Sequence, residues 1–133
     1  MTNKERMLAI MAAMEAGSLE RLFAAMADDI TWRWMGVEQW SRAFEGKETI
    51  LGELFGGVAE TLSSSFGVEI HNVLADGDWV LVEHSGRNQT PDGRSYNNNY
   101  CWLCRFEGGR IREIGAYMDT LLASQTFGTH KQA

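Results

Sequence analysis

The sequence predicts an α+β domain in which helices come first and a long antiparallel sheet, bent into a trough, follows. Between Trp79 and Asp119 lie three runs rich in β-branched and aromatic residues: Trp79 to Gly86, Ser95 to Phe106 and Arg110 to Met118. They are separated by Thr90-Pro91-Asp92-Gly93 and by Glu107-Gly108-Gly109, the punctuation of a meander. Strands on the order of 8 to 12 residues are long enough to curve into a trough rather than lie flat. Everything ahead of them reads as the lid and wall of that trough.

Taken in order, Thr2-Asn3-Lys4-Glu5 fits a capping box that starts a helix near Asn3, and Gly17 ends it. Met7, Ile10, Met11 and Met14 fall on one face of this helix. Ser18 caps a short second helix, Leu19 to Ala27, with Leu22, Phe23 and Met26 on its buried side. Asp28-Asp29 breaks the pattern, and Ile30 to Trp34 alternates as a strand, so that Trp32 and Trp34 face the same way. Met35 to Gly46, with Trp40 and Phe44, is expected to be an irregular loop, apolar enough to close over a pocket. Lys47 to Leu62 carries Ile50, Leu54 and Val58 in one helical stripe, which Gly52, Gly56 and Gly57 weaken. After the polar Ser63-Ser64-Ser65, Phe66 to Leu74 reads as a strand and Asp76-Gly77 as the hairpin turn into Trp79. Asp119 to Gln125 is a capped last helix, followed by a polar tail.

Length and composition bound the function. At 133 residues and 14.9 kDa, residues 1–133 make one domain with a sizeable core. A net charge of -6 argues against nucleic acid and anionic membrane as partners, since no basic patch can displace counterions from phosphates. No run reaches transmembrane length, and the apolar N-terminal run, bracketed by Glu5 and Glu15, reads as an amphipathic helix rather than a secretion signal. A cytoplasmic protein is expected. Cys101 and Cys104 have redox-motif spacing, but within a strand residues three apart face opposite ways, which makes them two core residues rather than a metal or disulfide pair. His71, His84 and His130 have no carboxylate or thiol at ligand spacing, so no metal is expected, and with no glycine-rich phosphate loop in the sequence no other cofactor is expected either.

The element order, the segment Asp92-Gly93-Arg94-Ser95-Tyr96-Asn97, the Gly108-Gly109-Arg110-Ile111 hairpin and the ending Tyr117-Met118-Asp119-Thr120 resemble the nuclear transport factor 2-like superfamily. Within it, the chain looks most like the SnoaL-like polyketide cyclases and the limonene epoxide hydrolases. The resemblance implies a cone-shaped barrel: a strongly curved, mostly antiparallel sheet wrapped around three N-terminal helices, closed by a short C-terminal helix. It also implies an internal pocket and pairing into a homodimer across the outer sheet face. The pocket-facing sets it implies are Trp79, Leu81, Glu83 and Ser85; Asn98, Tyr100 and Trp102; and Ile114, Ala116 and Met118, with Trp32 and Trp34. Val80, Val82, Cys101 and Leu103 would then form the dimer face.

A carboxylate in such a pocket is desolvated, so Glu83 becomes a general acid or base near neutral pH; with the strand phase one residue out, it is simply solvated. By resemblance to the SnoaL-like cyclases, Asp119 is the base that removes an acidic C–H proton. Equally, Asp119 caps the last helix, and the two roles are compatible. Tyr100 can donate to a developing enolate, and Asn98 can do the same or be a satisfied core amide. His84 falls on the outward phase. The epoxide-hydrolase catalytic positions fall on Ser85, Glu83 and Ala116, and the ketosteroid-isomerase positions on Trp34 and Trp102, which removes both chemistries. Two readings follow: an aldol-type cyclase or isomerase acting on a compact apolar carbonyl compound, or a non-catalytic binding protein or scaffold for a small hydrophobic ligand.

Overall fold

The computed structural model describes residues 1–37, 41–61 and 66–127. The first helix, α1 (Asn3–Glu15), opens with the capping box: Glu5 N donates to Thr2 Oγ1 at 3.1 Å and Thr2 N to Glu5 Oε1 at 2.9 Å. Its buried face is Met7, Ile10, Met11 and Met14. The second, α2 (Glu20–Ala25), is shorter than predicted, because Met26 already belongs to β1 (Met26–Trp34). Along β1, Ile30, Trp32 and Trp34 are buried, the alternation that the sequence shows.

The apolar stretch after β1 is not wholly irregular. Within it β2 (Ala43–Glu45) pairs antiparallel with β1, and Trp32 lies opposite Phe44. Phe44 is fully buried, with the Arg42 guanidinium 4.1 Å from its ring centroid. Trp40 lies outside the described residues. The helical stripe then runs without a break through α3 (Lys47–Thr49), a π-helical segment Ile50–Phe55 and α4 (Gly56–Thr61). The wide turn presents Leu51, Leu54 and Phe55 to the interior. Leu62 and Ser63-Ser64-Ser65 lie outside the described residues.

The remaining strands are β3 (Gly67–Asp76), β4 (Trp79–Gln89), β5 (Ser95–Tyr96), β6 (Asn99–Glu107) and β7 (Arg110–Met118), followed by α5 (Thr120–Phe127). With β1 and β2 they form, among the described residues, one seven-stranded sheet in the order β2-β1-β7-β6-β4-β3, with β5 on β4. Among the described strands, only β1 and β7 pair in parallel. The register slips between Ile70 and Asn72, between Arg105 and Phe106, and between Met26 and Thr31. Such bulges bend strands, so the sheet curls around the helices as the cone expected from the sequence.

Register corrects one strand phase. Val82 lies opposite Trp102 and Leu81 opposite Leu103, and residues directly opposite share a face. Val80, Val82, His84 and Gly86 are therefore inside, whereas Trp79, Leu81, Glu83 and Ser85 are outside. This reverses the expected β4 assignment, and it removes Val80 and Val82, both fully buried, from the outer face. Both faces of β4 are apolar enough to mislead. The charges at Glu83 and Arg87 belong to the solvent side and mark the phase. Cys104 is buried and Cys101 partly exposed on opposite faces, both as free thiols. Burial pushes the Cys104 thiol up to about 12.

Candidate functional site

The concave face of the sheet and the helices enclose a cavity of about 670 Å³. Its wall is a chain of edge-to-face rings. Phe23 meets Phe55 at 5.0 Å, Phe55 meets Trp32 at 5.5 Å, and Trp32 meets Trp102 at 5.0 Å. At the α5 end, Phe127 packs against Tyr96 at 5.0 Å and Trp34 at 6.2 Å. Among the described lining residues there is no Asp, Glu, Lys or Arg; the polar side chains other than tryptophan are His84, Asn88, Tyr96 and Tyr100.

His84 is the residue that the outward phase hid. It is 2% exposed, stacks on Tyr100 with centroids 5.2 Å apart and meets the edge of Trp102 at 4.5 Å. Burial lowers its pKa to about 4, with the Val82 carbonyl opposing that shift and the charge of His71 adding to it. The ring is therefore neutral at pH 7. Its Nδ1 lies 3.4 Å from Val82 O, an atom that can only accept. That contact assigns the proton to Nδ1 and leaves Nε2 as the basic nitrogen of a ring lining the cavity. Gly86, the next inward position on β4, leaves room for this arrangement. A Cβ there would lie 3.2 Å from Tyr100 Cε2 and 3.3 Å from Asn88 Nδ2.

The tyrosines are neutral donors. Burial raises the Tyr100 pKa well above its ordinary value, and the neighbouring Tyr96 adds to the shift. Tyr96 is also raised by burial, and the neighbouring Tyr100 hydroxyl and the Asn98 amide offset part of that.

Of the residues expected in the pocket, Trp32, Trp34, Tyr100, Trp102, Ala116 and Met118 line the cavity. Ile114 is buried in the core outside the lining, and Asn98 is buried behind Tyr96. Leu81, Glu83 and Ser85 are on the outer face. Glu83 there accepts from Asn72 Nδ2 at 2.7 Å, and Ser85 Oγ donates to Asn99 Oδ1 at 2.7 Å with His71 Nε2 at 2.8 Å. Glu83 is exposed on that face and does not enter the cavity. Asp119 is exposed and outside the lining, and its Oδ1 accepts from Leu122 N at 3.1 Å, the cap of α5.

The model of the SnoaL-like domain family matches residues 7–114. The chain belongs to the SnoaL-like domain family. Solved structures agree on the nuclear transport factor 2-like fold. An NTF2-like protein of unknown function from Burkholderia pseudomallei superposes with a TM-score of 0.79 at 18% identity, covering 97% of this chain and 100% of that one. A protein assigned as a SnoaL-like polyketide cyclase from Jannaschia gives a TM-score of 0.75 at 16% identity over 97% and 93% of the chains. TerC, crystallised with polyporic acid, gives 0.77 at 18% identity over 96% and 98%. No curated protein matches in sequence. In this SnoaL-like domain no described helix is long and apolar enough to cross a membrane, and no described group of three or more His, Cys, Asp or Glu is placed to hold a metal ion.

Proposed function

We propose that this SnoaL-like domain binds a compact, uncharged carbonyl compound and moves a proton on the carbon beside the carbonyl, as a cofactor-independent aldol-type cyclase or isomerase does. The observation that supports this most is the buried, neutral His84 beside Tyr100 in a cavity whose described lining residues carry no charge. A charged ligand would lose its hydration there and gain no counter-ion, whereas a neutral ketone would not. His84 takes the part that the sequence reading gave to Asp119 and Glu83.

In the proposed step, Nε2 of His84 takes the proton, the C–H pair becomes the enolate C=C, and the carbonyl π pair moves onto oxygen, where a tyrosine hydroxyl donates to it. The resulting imidazolium and enolate form a neutral pair. The nascent anion raises the imidazole pKa, so a base that resists protonation in the empty cavity accepts a proton in the complex. Return of the proton at another carbon completes an isomerisation, and attack of the enolate carbon on a second carbonyl completes a cyclisation. The carbonyl itself takes up the electron pair, so the step calls for no cofactor. That structural relatives include a protein assigned as a polyketide cyclase, and TerC crystallised with polyporic acid, supports a small organic ligand.

The test is a panel of enolisable ketones in D₂O, with tryptophan fluorescence for occupancy and proton NMR for exchange. Saturable quenching through Trp32, Trp34 and Trp102, with exchange above the buffer rate, is expected. Quenching without exchange would favour the second reading, a non-catalytic binding protein, for which the ring-lined, carboxylate-free wall speaks. No quenching by any ketone would sink both.

We also propose a homodimer through the outer sheet face. Leu74, Leu81, Leu103 and Gly115 lie opposite one another across four strands, and Leu74, Trp79 and Tyr117 are 62%, 37% and 47% exposed. Sedimentation equilibrium should return twice the chain mass, and Leu74→Glu with Leu103→Glu should halve it. A wild-type monomer at 100 μM or so would discard the dimer.

A further inference from the structure

We infer that the hydroxyl of Tyr96, rather than that of Tyr100, donates to the ligand oxygen, and that Asn98 is the positioning residue that aims it. The inference rests on the carbonyl-ligand reading above. Asn98 is 1% exposed, and every polar atom of its side chain is engaged. Its Oδ1 accepts from the backbone N–H of Asn99 at 2.8 Å and of Asp119 at 3.0 Å. Backbone N–H groups can only donate, which fixes which end of the amide is oxygen. Nδ2 therefore donates, to Asp119 O at 3.1 Å and to the Tyr96 oxygen at 3.0 Å.

The Asn98 amide thus occupies one lone pair of the Tyr96 oxygen and fixes where the hydroxyl can turn, whereas Tyr100 lines the cavity by its contacts with His84 and Trp102. Among the described residues no acceptor takes the proton of Tyr96 itself, although the residue is 2% exposed and lines the cavity. A buried donor without an acceptor is costly, and a ligand oxygen relieves that cost. Accepting from Asn98 also polarises the O–H bond and makes Tyr96 the stronger donor of the pair. The edge contact with Phe127 and the pairing of Tyr96 with Asn88 hold the ring in place. The ligand class that follows carries an accepting oxygen, a ketone, quinone-type carbonyl or enol, at the α5 end of the cavity.

The test uses acetophenone labelled with ¹³C at the carbonyl, its affinity read by tryptophan fluorescence and its polarisation by the carbonyl stretching frequency. In the wild type the stretch should fall below its value in an apolar solvent. Tyr96→Phe should weaken binding about tenfold, the worth of one such hydrogen bond, and return most of the frequency shift. Asn98→Ala should move both in the same direction by less, and Tyr100→Phe should keep most of the shift. Tyr100 also lines the cavity, so the double variant should lose what remains. A shift that survives Tyr96→Phe but vanishes in Tyr100→Phe overturns the assignment, as does a wild type that leaves the carbonyl unpolarised or does not bind acetophenone. If Asn98→Ala fails to fold, the two tyrosine variants decide. None of these readouts needs turnover: a polarised carbonyl without proton exchange leaves the Tyr96 site standing and removes the enzyme reading, and exchange with a Tyr100-dependent shift does the reverse.

Discussion

His84→Gln is expected to slow ketone proton exchange by about 10²- to 10⁴-fold, the contribution of a positioned general base, while changing ligand affinity only a few-fold. Glutamine keeps a polar group of similar reach at this position but cannot hold a proton, so binding and chemistry separate. Asp119→Asn is the matched control. It keeps an oxygen that can accept from Leu122 N, and because Asp119 is exposed outside the cavity lining, exchange should continue at the wild-type rate. The pH profile gives an independent check. The acid limb of kcat/KM reports the free enzyme, so activity should hold through pH 6 and fall as His84 titrates near pH 4. An unchanged rate in His84→Gln, or a lost one in Asp119→Asn, would return the base to the position that the sequence resemblance names.

The same imidazole should make the fold acid-sensitive. The native pKa of about 4 lies below the ordinary 6.5, so between these values the unfolded chain binds a proton that the native state refuses. The stability tied to this difference is complete above pH 6.5 and is lost as pH falls towards 4. At about 1.4 kcal/mol per pH unit, the gap is worth about 3 kcal/mol, a large part of a small domain's stability. Carboxylates such as Glu113, held low chiefly by Arg105, lose their partners in the same direction at lower pH. The decisive quantity is therefore the difference between wild type and His84→Gln in urea unfolding at pH 7 and pH 4.5. The variant should show a clearly shallower loss. Parallel losses in the two proteins would mean that His84 takes up its proton in the folded state without penalty.

Much of the site was legible along the strands whose two faces differ. In β1 the order Ile30-Thr31-Trp32-Arg33-Trp34 has one apolar face, and the structure places Trp32 and Trp34 on the cavity wall. In β6 and β7, Tyr100, Trp102, Ala116 and Met118 are found there as well. β4 is different. Val80 and Val82 on one face compete with Trp79 and Leu81 on the other, and a slip of one residue exchanges the whole set. That slip moved Glu83 and Ser85 outside and brought His84 in. Tyr96 was missed for another reason: β5 is only two residues long, too short for any alternation to show.

The sequence by itself determined the order of elements, the capping box of α1, the curled antiparallel sheet and the aromatic character of its inner wall. Each of these follows from local periodicity, from turn residues, or from composition along a single element. Only the tertiary structure decided which carboxylates leave the cavity, that His84 enters it neutral, and that Asn98 locks Tyr96 to the start of α5. Those outcomes depend on register between strands far apart in the chain, Val82 against Trp102 and His84 against Tyr100, and on hydrogen bonds from Asn98 to residues up to 21 positions away. A single strand carries no record of its partner's register, and burial sets the chemistry of a side chain only after that register is fixed.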